Sequence, residues 1–437
     1  MSEVLVNSTL ASALAEARER FVAANPGSLA AHVEAAAAMP GGNTRTVLFH
    51  TPFPLTMTRG EGCRLWDADG HEYVDLLGEY TAGLFGHSHP VIRAAIDAAL
   101  DSGWNLGAHG PAEQKLARVI CERFPSIDLV RFTNSGTEAN LMAIGTAIAA
   151  TGRRRVMVFD GGYHGGILYF GGGGIPINAP HDWLLGTYND AAGAAALIDA
   201  NAEHLACVLV EPMMGSGGCI PAERDFLLAL REATARVGAV LIFDEVMTSR
   251  MSAGGQQARL GITPDMTTLG KYIGGGMSFG AFGGRRDLME QYDPRRPNAL
   301  PHAGTFNNNV LTMAAGHAGM SRVFTPEAAE ALFARGEALR ARLNAAAAAR
   351  NCAMTWTGIG SLMAAHFTTG PVRNPTDAAR GSADARDLFF LDMLDRGFYL
   401  AKRGMVAMSM MVGEAETDAF AAAVEEFLDA RAPLLRG

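Results

Sequence analysis

LVRFTNSGTEAN, residues 129–140, decides the fold. Leu129 to Thr133 is a short apolar and β-branched run, Asn134-Ser135-Gly136 breaks it, and from Thr137 to 151 the pattern is helical. The sequence therefore predicts strand, tight turn and helix start in succession. At such a junction the first-turn amides lack intrahelical partners and the helix dipole is positive, which suits a phosphate dianion. The same residues also read as an ordinary capping box with Ser135 or Thr137 as N-cap. The segment alone leaves both open.

Outward from this stretch, residues 90–325 repeat the alternation of short apolar strand and amphipathic helix. Further strands are expected at Val156–Asp160, Ala206–Val210, Ala239–Phe243, Met266–Leu269 and Gly280–Gly283, with helices including 223–237. The pattern predicts an α/β domain with a mostly parallel central sheet, its functional groups gathered at the strands' carboxyl ends. On the flanks, 10–24 and 28–39 read as helices and residues 55–76 as a small meander turning at Asp67-Ala68-Asp69-Gly70. Beyond 326, helices at 326–349 and 384–396 surround short strands. The expected division is a large domain over 71–325, with 1–70 and 326–437 forming a smaller α+β domain.

Composition narrows the function classes. With 49% apolar and 19% charged residues among 437, the chain has enough apolar surface to fold rather than stay disordered. Its 36 basic against 45 acidic residues give −9, the wrong sign for a nucleic-acid or anionic-membrane partner, so any anionic ligand must be held locally. Five scattered cysteines without a CxxC argue against a zinc ribbon or disulfide framework and for a reducing compartment. MSEVLVNSTL has no basic start and no long apolar core, and no run approaches a membrane span. A soluble, cytoplasmic protein is expected. The 51 glycines cluster at 161–162, 171–174, 274–276 and 283–284, which fits either backbone lying close to a ligand or loose loops.

The glycines do not form a nucleotide loop. Gly270-Lys271 ends like a Walker A motif, but Tyr272 follows and Asp265 stands where its first glycine belongs; Gly215-Ser216-Gly217 lacks the third glycine of a dinucleotide fingerprint, having Ile220. Two other residues carry chemistry. Asp244 ends the buried strand Val240 to Phe243, where a carboxylate is paired, functional or a helix cap. Lys271 follows an apolar strand and precedes three glycines; it is either a surface lysine or an amine that forms a Schiff base with an aldehyde, kept partly neutral by desolvation.

Together FTNSGTEAN (132–140), GGYHGG (161–166), VEPMMG (210–215), IFDEVMTSR (242–250), DMTTLGKYIGGG (265–276), GAFGGR (280–285) and GTFNNN (304–309) resemble the class III (subgroup II) pyridoxal-phosphate aminotransferases. WDADGHEYVDL (66–76) and GHSHP (86–90) match the same family, so His87 and His89 read as its loop rather than as metal ligands. Within the family the chain is similar to glutamate-1-semialdehyde aminomutase-like sequences and, through MPGGNTRTVLF, GYHGG, MTSR, TFNNN and Arg403-Gly404, to bacterial β-phenylalanine (aromatic β-amino acid) aminotransferases.

The resemblance implies a fold-type I enzyme whose pyridoxal 5'-phosphate is carried by Lys271, which also moves the proton. It implies that Asp244 faces the ring nitrogen, that Ser135, Gly136 and Thr137 hold the phosphate, and that Tyr163 and Val246 flank the ring. Thr305 would reach the phosphate of a neighbouring subunit, making a homodimer the working unit. Arg45 would bind the carboxylate of a β-amino acid and Arg403 that of a 2-oxo acid such as 2-oxoglutarate. Arginine suits both because its planar fork takes two oxygens at once, and surface ion pairing is the alternative reading of each. Glu211 and His164 are placed near the site, either touching the cofactor or orienting neighbours. Glutamate-1-semialdehyde aminomutase is the alternative, less favoured because Gly166-Ile167-Leu168 and Asn307-Asn308-Asn309 depart from its pattern. An amino-acid racemase and a non-catalytic member of the fold are further alternatives.

Overall fold

A computed structural model describes residues 9–436. Of the N-terminal stretch MSEVLVNSTL, residues 1–8 lie outside the described residues. A seven-stranded sheet forms the centre, in the order 129–133, 280–284, 266–270, 240–244, 205–210, 155–159, 182–186. The five strands from 266–270 to 182–186 are parallel.

Strand Gly280–Gly284 runs antiparallel to both of its neighbours. The segment before it holds only a 3-10 turn, Lys271–Gly274, and a parallel return needs a crossover of a dozen or more residues. The sequence reading lacks one strand, Asp182–Gly186. It lies at the sheet edge with an exposed first residue, so its apolar signal is weak.

Burial on both faces explains the continuous apolar runs. Leu205–Val210 and Val240–Asp244 are buried throughout, as strands covered by helices on both sides should be. Alternate residues feed opposite cores. Val156, Val158, Cys207, Leu209 and Ile242 pack with Ala139, Ala143 and Ile144 of the helix Gly136–Thr151. Met157, Phe159, Val208, Val210, Leu241 and Phe243 face Leu227 and Leu230 of the helix Arg224–Val237. Asp244, two positions after Ile242, therefore emerges on the side of the helix Gly136–Thr151.

Two smaller sheets combine distant parts of the chain. The meander Met57–Glu61, Arg64–Asp67 and Glu72–Asp75 is completed by Phe398–Tyr399, parallel to Glu72–Asp75. Thr355–Ile359, Leu362–His366 and Met405–Ala407 form an antiparallel sheet. The Ala407 amide donates to the Leu76 carbonyl at 2.7 Å, tying the two sheets together. No described helix is long and apolar enough to cross a membrane.

Gly280 is where the sheet meets the turn quoted first. A Cβ there would lie 2.1 Å from the Ser135 carbonyl oxygen and 2.3 Å from Thr133 Oγ1. Overpacking in such a spot typically costs about 1–3 kcal/mol. Gly280→Ala is expected to lower unfolding free energy by that amount in urea titration, and an unchanged midpoint would show that the turn yields freely.

Candidate active site

The site is assembled at the carboxyl ends of the parallel strands. Asp244 is 4% exposed, and neither lysine nor arginine pairs with it among the described residues. Its Oδ2 accepts from Asn140 Nδ2 and lies against His164 Nδ1, both at 2.8 Å, while Oδ1 accepts from the Val246 amide at 3.0 Å. Asn140 is itself fixed. Its Nδ2 also donates to the His164 carbonyl at 2.8 Å, and its Oδ1 accepts from Thr268 Oγ1 at 2.6 Å. One helix, one loop and the turn after its own strand thus converge on a single carboxylate and satisfy it, with a second strand fixing Asn140 behind them.

Lys271 stands at the end of the neighbouring strand with φ +55°. Such a left-handed conformation in a lysine persists only where the surroundings impose it. Its Nζ donates to the Tyr80 carbonyl at 2.6 Å. Burial pushes the ammonium down to about 8, helped by Arg403 and Arg45 and opposed by Asp244 and Glu211. A neutral amine is therefore accessible near neutral pH, which a nucleophile toward an aldehyde requires.

At the start of the helix Gly136–Thr151, Ser135 is the N-cap, its Oγ accepting from the Glu138 amide at 3.1 Å. Thr137 Oγ1 accepts from the Gly166 amide at 3.3 Å, so the helix start and the loop 161–166 share a wall. Space there is close-cut: a Cβ on Gly165 would lie 2.2 Å from Thr137 Oγ1, and one on Gly136 would lie 3.0 Å from Val246. The first-turn amides and hydroxyls are the donors that a candidate anion cradle would need, beside those that serve the cap.

Tyr163 is 46% exposed, its ring 5.9 Å from that of Tyr169 and its amide donating to Glu211 Oε1 at 3.0 Å. Glu211 Oε2 accepts from the Gly215 amide at 2.9 Å, so this carboxylate joins loops 161–166 and 215–218. Burial pushes the Glu211 carboxyl above the usual range; His164 opposes the rise and Asp244 adds to it. His164 orients Asp244 directly.

The two arginines converge on one ring. Arg45 lies over Tyr80 at 5.4 Å and Arg403 over the same ring at 5.3 Å. Arg403 reaches Met405 Sδ at 3.3 Å and Ser216 Oγ at 3.5 Å and has no carboxylate partner among the described residues, whereas Arg45 pairs with Glu79. Thr305 is exposed in the irregular segment 301–309. This segment approaches the cradle through Asn307, whose Oδ1 accepts from Asn134 Nδ2 at 2.9 Å.

The histidines of GHSHP have local duties. His87 Nε2 lies 3.0 Å from Asp75 Oδ2, and His89 caps the helix Pro90–Ser102. The glycine run 171–174 forms a tight turn with positive φ at Gly172, Gly173 and Gly174, and the Gly173 amide donates to Asp160. Sequence reasoning missed Asn140, Thr268, Glu79 and Tyr80. Asn140 sits in the quoted stretch five residues after the Ser135 cap, where no local pattern sets it apart from the other helix residues.

An aldehyde cofactor with a phosphate and a basic ring nitrogen fits this donor set: an amine of lowered pKa, a buried carboxylate without a lysine or arginine partner, and a glycine-cut candidate anion cradle. Known proteins agree. The profile of the family "Aminotransferase class-III" matches residues 49–170 and 186–428. The chain is 54% identical over 431 residues to the β-phenylalanine transaminase of Variovorax paradoxus, covering 99% of each. A crystal structure of a β-phenylalanine aminotransferase from Variovorax paradoxus superposes with TM-score 0.97 at 55% identity, over 98% of this chain and 99% of that one. A glutamate-1-semialdehyde aminomutase from Pseudomonas aeruginosa superposes with TM-score 0.89 at 25% identity, over 98% of each chain.

The lowered Lys271 pKa has a measurable consequence. The neutral fraction of an amine rises through its pKa, so capture of pyridoxal phosphate by the apo-protein should be half-maximal near pH 8. A stopped-flow profile still climbing steeply at pH 10 would mean that Lys271 titrates as an ordinary lysine.

Proposed function

The chain belongs to the class-III aminotransferases, enzymes that depend on pyridoxal phosphate, and from that premise we propose that it moves the amino group of an aromatic β-amino acid, such as β-phenylalanine, to a 2-oxo acid such as 2-oxoglutarate. One observation carries the substrate reading: Arg45 and Arg403 lie within 5.4 and 5.3 Å of the same Tyr80 ring, whose residue's carbonyl accepts from Lys271 Nζ. A β-amino acid and a 2-oxo diacid place their carboxylates at different distances from the carbon that gains or loses nitrogen. Two arginine sites near one amine accommodate both without a new catalytic group.

When bound, the cofactor supplies the electron sink that makes the amine-bearing carbon acidic. The residues supply binding, orientation and proton transfer. In this reading Lys271 holds the cofactor and its Nζ takes and returns the proton at that carbon. Asp244, fixed by Asn140 and His164, provides the negative charge that keeps the ring nitrogen protonated. Ser135, Gly136 and Thr137 hold the phosphate, with Tyr163 and Val246 as walls. Glu211 sets the loop carrying Tyr163 through its bond to that residue's amide. Arg45 receives the donor's carboxylate and Arg403 the acceptor's.

The reading extends to assembly. Thr305 reaches the phosphate of a second copy in a homodimer, a role supported by its exposure and by the exposed apolar Phe306, Trp104 and Leu106. Residues 71–325 act as the cofactor-binding domain, and 1–70 with 326–437 as the smaller one. A cytoplasmic setting is supported by five cysteines that are all free thiols.

With β-phenylalanine and 2-oxoglutarate the enzyme should form glutamate, read by coupled assay. Turnover of glutamate-1-semialdehyde without glutamate formation would favour the aminomutase instead. Arg403→Ala should raise the acceptor's KM at least about tenfold, the loss expected for one charge-assisted pair of about 1.5–3 kcal/mol, and raise KM for β-phenylalanine less. Equal losses would overturn the division of labour between the two arginines.

A further inference from the structure

The turn that carries Tyr80 has an unusual backbone. Gly78, Glu79, Tyr80 and Thr81 all have positive φ, at 51°, 47°, 49° and 83°. Left-handed conformations in three successive non-glycine residues are disfavoured and need an external frame to hold them. That frame is visible. Asp75 Oδ1 accepts from the amides of Leu77 and Gly78, both at 2.9 Å, and the Gly83 amide closes the turn on the Gly78 carbonyl at 2.9 Å. A Cβ on Gly78 would stand 2.7 Å from the Ala407 carbonyl oxygen, so the turn is pressed against the strand Met405–Ala407 that follows Arg403.

The conformation sends consecutive groups to different parts of the site. The Tyr80 carbonyl takes Lys271 Nζ, the Tyr80 hydroxyl donates to the Val47 carbonyl at 3.0 Å, and the Glu79 carboxylate pairs with Arg45 Nη1. Arg45 and Glu79 side chains are 43% and 56% exposed, so water and ligands reach the pair. Arg403, over the same ring, has no such partner, and its Nε is buried without a hydrogen bond. The two arginines are thus unequal: one is matched to a carboxylate of the chain itself, the other is not.

We propose that Glu79 is a specificity-determining residue that occupies Arg45 as an internal stand-in for a substrate carboxylate, so that an incoming carboxylate must displace it at Arg45 but meets no rival at Arg403. The proposal rests on the assignment of Arg45 to the donor's carboxylate. Its consequence is selective. A monocarboxylate that binds only through Arg45 competes with Glu79, whereas an acceptor anchored by Arg403 does not. Donors with a large apolar group offset that competition by burying the group, and small donors do not, so the pair filters for bulk. Glu79 acts through Arg45 and is a positioning residue.

The test uses the holoenzyme and 3-phenylpropanoate, which has the donor's aryl group and carboxylate but no amine, with binding measured by isothermal titration calorimetry. Losing an exposed ion pair has a small effect, so Glu79→Gln should tighten 3-phenylpropanoate by about threefold while leaving the acceptor's Michaelis constant within about 1.5-fold. In an Arg45→Ala background the same substitution should leave affinity unchanged, because its effect passes through Arg45. Unchanged affinity in Glu79→Gln, weakened affinity, or the same gain without Arg45 each overturns the proposal. If the wild type binds 3-phenylpropanoate and Arg45→Ala binds it equally well, the assignment of Arg45 itself fails, and the proposal with it. A Glu79→Asp holoenzyme that restores the wild-type affinity would support displacement by charge rather than a change in the turn's shape.

Discussion

A carboxylate buried at the end of a strand has to be held by something, and the site depends on how Asp244 is held. Desolvating the charge without partners would cost several kcal/mol. Asn140, His164 and the Val246 amide prevent that loss, and each belongs to a different piece of the active site. The helix that begins at the anion cradle, the loop that carries Tyr163 and the turn that supplies Val246 are therefore positioned by one group. Moving any of them would leave a buried polar atom unpaired. The bonds that fix these pieces around Asp244 are thus also the bonds that satisfy the interior.

Much of this was legible in the sequence because it depends on local pattern. Apolar runs buried on both faces announced the strands, and the break at Asn134-Ser135-Gly136 announced the helix start. Ser135 proves to be the N-cap, and Thr137 bonds across to Gly166, so the cap and cradle readings of that turn are compatible. What stayed hidden depends on long-range approach. Asn140 looks like any polar residue of an alanine-rich helix until Thr268 and Asp244 are brought beside it. Glu79 and Tyr80 carry no signal beyond the preceding glycine, because their backbone conformation is imposed by Asp75 and Ala407. The antiparallel strand Gly280–Gly284 was visible as a strand, but its direction follows from the shortness of the segment before it.

The abundance of glycine and the acidic balance also acquire a physical meaning. Several glycines cannot be replaced at constant backbone. Gly165 and Gly280 lie where a Cβ would enter Thr137 or the Ser135 carbonyl, close to the anion cradle. Others, such as those of 171–174, shape a turn away from it. The net charge of −9 is a property of the whole chain, whereas Lys271, Arg45 and Arg403 stand close together around Tyr80, with Glu79, Asp244 and Glu211 as their acidic neighbours. An acidic balance over the whole chain is compatible with a few cations gathered at one place, because a local cation acts at short range while the net charge governs long-range attraction of polyanions.

The small sheet closed by Phe398–Tyr399 has a consequence for how the molecule comes into being. Its first three strands are made early, yet their fourth partner, the Ala407 amide that takes the Leu76 carbonyl, and the Arg64–Glu416 contact, which spans 352 positions, come from the far end of the chain. During synthesis the meander must wait with an open edge until almost the whole polypeptide has emerged. The loop bearing Arg403 lies between these late partners. The loop bearing Arg403 is therefore among the last parts of the molecule to be fixed in place, well after the central sheet has its strands, and a truncated product would present an unpaired edge to whatever it meets first.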